Sequence, residues 1–172
     1  MHMPLKGKIV IRRGRLSNAF GHNIRIDPKT KNPKDHQGWD IEAPPGTPVH
    51  AIKTGLIVDR VDSENNGYGK QICLSFDHQG TTLFAFYAHL SSIAVMDSEV
   101  VHEGQIIGYS GQTGNAKGQA LSEAHLHFEI RTQPYAAHGL GGRLDPGTVL
   151  GFAPVVKIIV DEIFGNGIPG MK

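Results

Sequence analysis

Cysteine is almost missing from this chain. The lone Cys73 excludes an internal disulfide and a thiolate metal cluster. An excess of one charge is missing too: 17 Lys and Arg stand against 16 Asp and Glu, for a net charge of +1. With no basic run, nucleic acid is not expected as a partner, nor is a polybasic membrane anchor. No apolar run approaches a membrane span, so none is expected. In the first residues, Ile9-Val10-Ile11 is too short for a signal-peptide core, and Arg12 and Arg13 follow it rather than precede it. A chain acting outside the cytoplasm would therefore need a leader beyond this sequence or a route that reads none. Charged residues are scarce at 19%, whereas 22 Gly and 10 Pro imply many turns and few long helices. One domain fits the 172 residues and can bury a core without staples.

What is present is a cadence of short strand-like runs. They fall at Thr47–Ile52, Gly55–Val61, Lys70–Phe76, Thr81–Leu90, Gln105–Gly108 and His125–Arg131, separated by Gly, Pro, Asn and Asp. The expected class is mainly β, an antiparallel sheet or sandwich with few short helices. Ser91–Asp97 suits a single helical turn. Residues 1–35 read as a loop-rich segment, with Arg15–Pro33 draped over the sheet; residues 36–151 read as the main β domain. Residues 152–172 read as an extension, apolar to residue 164 (an extra strand or a docked helix) and frayed from Gly165.

Histidine is abundant, with 10 residues. The run His125-Leu126-His127-Phe128-Glu129-Ile130 is the most informative. On a strand, residues two apart share a face, so His125, His127 and Glu129 oppose the apolar Leu126, Phe128 and Ile130. Two imidazoles roughly 7 Å apart at Cβ can converge on one small site. In Thr81–Leu90 the same rule puts Phe84, Phe86, Ala88 and Leu90 on one face and Tyr87 and His89 on the other. A third stretch, His36-Gln37-Gly38-Trp39-Asp40, adds a carboxylate, with Gly38 giving backbone freedom and Trp39 tending to the groove wall. Two imidazoles with one carboxylate are a common catalytic zinc set with a vacant fourth position.

Other candidates read as structural. His2, His22, His50, His78, His102 and His138 are assigned no role. His102-Glu103-Gly104-Gln105-Ile106 lacks the second histidine of a helical H-E-x-x-H site. Gly108–Gly118 lacks the Lys-Ser/Thr of a phosphate loop and reads as tight turns, and Cys73 among apolar neighbours reads as an inert thiol.

Several ordered pieces together resemble the M23 metallopeptidases of lysostaphin and LytM type. They are Gly14–Pro28, His36–Gly46, Gly67-Tyr68-Gly69, Tyr87-Ala88-His89-Leu90, Val101–Gly114 and His125–Ile130. The resemblance implies a β-sheet groove, one Zn2+ held by His36, Asp40 and His127, and His89 and His125 as the catalytic pair. It implies an endopeptidase cutting peptidoglycan stems or cross-links in the periplasm or cell wall; with no leader read, one route there is delivery as an antibacterial effector, with an inhibitor protein as partner in the producer. In some relatives an upstream Asn silences the metal site, which singles out Asn18 and Asn23. The chain departs from the pattern at Gln119–Ala124, a longer turn before His125. The alternatives are a silent peptidoglycan-binding or amidase-activating module, and a histidine phosphocarrier of hybrid-barrel type.

Overall fold

Alternation of apolar and polar residues between glycine-rich turns builds a sheet. A computed structural model describes residues 1–156. The strands are β1 Gly21–Ile26, β2 Pro33–His36, β3 Trp39–Glu42, β4 Pro48–His50, β5 Gly55–Val61 and β6 Lys70–His78, followed by β7 Thr81–Ile93, β8 Val100–Val101, β9 Ile106–Ser110, β10 His125–Arg131 and β11 Arg143–Leu144. The helix α1, Pro146–Leu150, is a single short turn. Asp145 caps it, accepting from the Gly147 N–H at 2.9 Å, and Gly151 ends it at φ 78°. No described helix is long and apolar enough to cross a membrane.

Among the described residues, β1 and β2 form a two-stranded ribbon and the other nine strands one antiparallel sheet. Its spine runs β11-β10-β7-β6-β5-β8, with β3 alongside β10 and β9 joining β4 to β7. The mainly antiparallel β class expected above is the one observed. Leu126, Phe128 and Ile130 of β10 enter the core with no exposed surface, and burial of each contributes about 1.5–3 kcal/mol.

Four expectations need correction. Arg15–Pro33 is not a draped loop: it carries β1 and the turn to β2, where Asp27 Oδ1 accepts from the Lys29 and Thr30 N–H groups at 2.9 Å. Its apolar residues are few, with Ile24 and Ile26 on β1 and none beyond Pro33 on β2, so the alternation is too short to mark it. Ser91–Asp97 holds no helical turn, because Ser92 and Ile93 pair with Tyr109 and Gly108 of β9. Trp39 lines no groove; it is buried in the core, edge-on to Phe152 with ring centroids 5.7 Å apart.

The fourth correction concerns β7. Tyr87 joins Leu83 and Ala85 in the main core, while Phe86 and Ala88 pack with Cys73 on the opposite side. Simple alternation would then send His89 into the core. A bulge prevents it: Ile72 pairs with Tyr87 but Lys70 with Leu90, so β7 carries one more residue than β6 over this stretch. His89 absorbs the extra residue at φ 60°, and Leu90 returns to the core. Of the tail, the described part begins as a bridge of Val155 to Val10, and residues 157–172 lie outside the described residues.

Candidate metal centre

Three strands and one strand end deliver the site. On β10, His125, His127 and Glu129 share the face opposite the core, as alternation dictates. β3 lies antiparallel beside it, with Asp40 directly across from His127. On the other flank β7 pairs Ala88 with His127, and the bulge turns His89 inward. His36 ends β2, and Gly38 carries the chain back over β10. A Cβ there would lie 2.2 Å from the Phe128 carbonyl oxygen, so only glycine allows this approach.

The donor atoms of His36, Asp40 and His127 all lie within 4.8 Å of one another, and all three residues are buried. Asp40 Oδ1 is 3.2 Å from His36 Nε2, 2.8 Å from His127 Nδ1 and 3.7 Å from His125 Nε2. The rings of His89 and His125 stand edge to face with centroids 4.9 Å apart, and His89 lies 6.0 Å from His127.

Hydrogen bonds away from the centre set each tautomer. His36 Nδ1 donates to the Ala19 carbonyl at 2.7 Å, His89 Nδ1 to Thr113 at 2.9 Å and His125 Nδ1 to Glu123 at 2.8 Å. Each neutral ring is left with a bare Nε2. His36 Nε2 is buried, has no hydrogen-bond partner, and faces a carboxylate oxygen that also only accepts. His127 Nε2 pairs with Glu129 Oε1 at 2.9 Å, which turns Nδ1 toward Asp40. Acceptors gathered face to face require a positive charge between them, a proton or a metal ion. The donor set thus fits a four-coordinate divalent ion with a vacant corner, and the carboxylate behind His127 fits the usual outer support of such a ligand.

The pKa directions agree. Burial opposes ionisation of Asp40, but His36, His125 and His127 hold its carboxyl well below the ordinary value. Burial opposes protonation of His127 as well, yet its hydrogen bonds to Asp40 and Glu129 raise it. His36 and His125 are lowered, chiefly by burial, and burial with repulsion from His127 and His125 brings His89 down to about 3. These three imidazoles therefore stay uncharged beside a spot that favours a cation.

Sequence reasoning missed the support around this centre. Glu129, fully buried, accepts from the Tyr68 hydroxyl at 2.9 Å, Arg131 Nε at 2.6 Å and Arg143 Nε at 2.7 Å, besides His127. Its place two residues after His127 was the available signal. The turns at Gly108–Gly118 supply the Thr113 carbonyl for His89; Gly69, at φ 64°, packs so tightly there that a Cβ would sit 2.2 Å from Thr113 Oγ1. Asn18 hydrogen-bonds Arg12 and Arg25, and Asn23 faces His22 and Asp35. The centre forms the floor of an open groove of about 690 Å3, with His22, Lys34, Asn115, Gln119 and His138 along it. His22 and His138, assigned no role above, thus reach the groove, whereas His50 is buried elsewhere, with Nδ1 on the Gly104 carbonyl at 2.9 Å.

A buried His/Asp/His group on the floor of an antiparallel β groove defines a class of metal-binding groove domains. Residues 34–139 match peptidase family M23, and the chain belongs to that family. It is 36% identical over 117 residues to the peptidoglycan DD-endopeptidase ShyA of Vibrio cholerae, covering 67% of this chain and 24% of that protein. The chain spans about a quarter of the length of the curated relatives it matches first. The catalytic domain of the antimicrobial peptidase lysostaphin from Staphylococcus simulans superposes with a TM-score of 0.60 at 33% identity, covering 77% of this chain and 89% of that one. A zinc-containing peptidase from Vibrio cholerae superposes at 0.56 with 26% identity, covering 78% and 39%.

Proposed function

We propose that this chain is a zinc-dependent endopeptidase that hydrolyses peptide bonds in bacterial peptidoglycan, working in the periplasm or at the cell wall. The carrying observation is the convergence of His36 Nε2, Asp40 Oδ1 and His127 Nδ1, all acceptors, with two further imidazoles beside them in an open groove. The family match and the peptidoglycan-acting relative supply the substrate class.

His36, Asp40 and His127 would hold the ion, leaving one corner toward the groove. Bound there, zinc supplies Lewis-acid polarisation of a carbonyl and acidifies water to a pKa near ~7. The chain's own work is done by His89 and His125. Each presents a bare Nε2, so one takes the proton of the attacking water and returns it to the leaving amine. The imidazolium formed by that transfer is the positive charge beside the developing oxyanion, and it steadies the oxyanion until its proton passes to the amine. The carbonyls of Thr113 and Glu123 hold the two rings in that orientation. Burial keeps His89 uncharged at neutral pH, as a proton acceptor must be.

Digestion of purified muropeptides, with products weighed by mass spectrometry, tests this. Cleavage of a stem or cross-link bond that stops with a chelator and resumes with zinc is expected. Intact muropeptides after incubation with the zinc-loaded chain would overturn the reading in favour of a non-catalytic wall-binding module.

A further inference from the structure

We propose that Arg12 and Arg25 clamp Asp40 so that it offers a metal ion one oxygen and not two; this rests on the metal-centre reading above. The two oxygens of Asp40 have different surroundings. Oδ1 faces His36, His127 and His125. Among the described residues, Oδ2 faces guanidinium groups: Arg12 Nη2 lies 3.4 Å away, and Arg25 Nη2 hydrogen-bonds to it directly.

The clamp is itself held in place. Asn18 Oδ1 accepts from Arg12 Nη2 at 2.9 Å and from Arg25 Nη2 at 3.0 Å. Its amide donates to the Arg12 carbonyl at 2.8 Å, and Arg25 Nε donates to the Ser17 carbonyl at 2.6 Å. Asn18 is buried, so these bonds compete little with water. Arg12, Asn18 and Arg25 all precede residue 34, where the family match begins. A segment outside that match therefore reaches the centre.

The consequence follows from coordination number. A carboxylate with both oxygens free can bind a divalent ion through both, and the second would occupy the corner that hydrolysis needs vacant. Two cationic groups on Oδ2 make that mode unfavourable. They also draw charge from Oδ1, so the ion keeps more of its Lewis acidity. Arg12 and Arg25 are thus positioning residues acting through Asp40, and Arg12 Nη1 also lies 3.3 Å from His125 Nδ1.

The test uses Co2+ alone, added to metal-free full-length chain, because its visible spectrum reports coordination number. Wild type should show the intense band of a four-coordinate ion. In an Arg12→Gln/Arg25→Gln variant the band per cobalt should weaken severalfold, toward higher coordination. Binding should be no weaker, since two positive charges have left the site, and hydrolysis should fall. Arg25→Lys should restore part of the band. An unchanged band, or weaker binding together with a weaker band, overturns the clamp; the second is what a merely loosened site would give. If circular dichroism shows the double variant unfolded, Asn18→Ala, which frees both guanidiniums without removing charge, carries the same comparison with a smaller change. Failure of wild type to take up cobalt would sink the metal centre itself, an outcome distinct from failure of the clamp.

Discussion

β10 and β7 both deliver histidines to the groove, but they do so by opposite means. β10 keeps strict alternation: His125 and His127 face the centre and Leu126 and Phe128 the core. β7 breaks alternation, spending a bulge and a left-handed backbone at His89 to bring that ring onto a face its neighbours Tyr87 and Leu90 do not share. The lesson is that a strand can place a pair of site residues by its pattern alone, whereas a lone inward residue opposite a core position needs a backbone irregularity. Such strain costs of order 1–3 kcal/mol and is often found at functional sites.

The largest effect is expected on β10. His127→Ala should reduce muropeptide cleavage to background and remove bound zinc, read by product analysis and metal content. Retained cleavage would remove His127 from the site. A smaller effect is expected for His89→Ala or His125→Ala: loss of ~10^2- to 10^4-fold in rate with zinc still bound, because each removes a proton-handling group and no ligand. Loss of zinc in either variant would erase the division between ligands and proton carriers.

The core face of β10 gives the next effect. Leu126→Ala should cost about 2–5 kcal/mol in denaturant unfolding, as expected for a fully buried leucine. The backbone of β7 gives the smallest. His89→Gly should be more stable than His89→Ala by about 1 kcal/mol, since glycine tolerates φ 60° without the Cβ clash. Both should be equally inactive. If Ala proves the more stable, the strain assigned to the bulge is absent. Cys73, whose thiol burial pushes up to about 12, should ignore thiol reagents at pH 8 until the chain unfolds.

Legibility in the sequence followed the same division. The limits of β5 and β10 could be read from alternation and flanking turns, and so could the antiparallel class. The sharing of one face by His125, His127 and Glu129 came from the two-residue period. Bringing His36 and Asp40 to that face required the family resemblance, since it depends on β3 pairing with β10 across more than eighty residues of sequence. The side of β7 was misread because Phe84, Phe86, Ala88 and Leu90 look like one apolar stripe, and nothing local announces a bulge. Trp39 was misread because a large ring beside Asp40 looks like groove lining; only the packing of Phe152 and Gly147 against it shows otherwise. Arg12 and Arg25 were invisible as site residues, because a long cationic side chain in a polar stretch reads as a solvated one. Their partner, Asp40, is set by tertiary structure alone.

The central claim is that three acceptor atoms from β2, β3 and β10 surround a single divalent ion. Anomalous diffraction at the zinc absorption edge, from crystals of the zinc-loaded chain, tests it most directly. The account predicts one strong peak about 2.0–2.2 Å from His36 Nε2, Asp40 Oδ1 and His127 Nδ1. A zinc-loaded, hydrolytically competent chain with its peak elsewhere, or with Asp40 outside bonding distance of the ion, would contradict it.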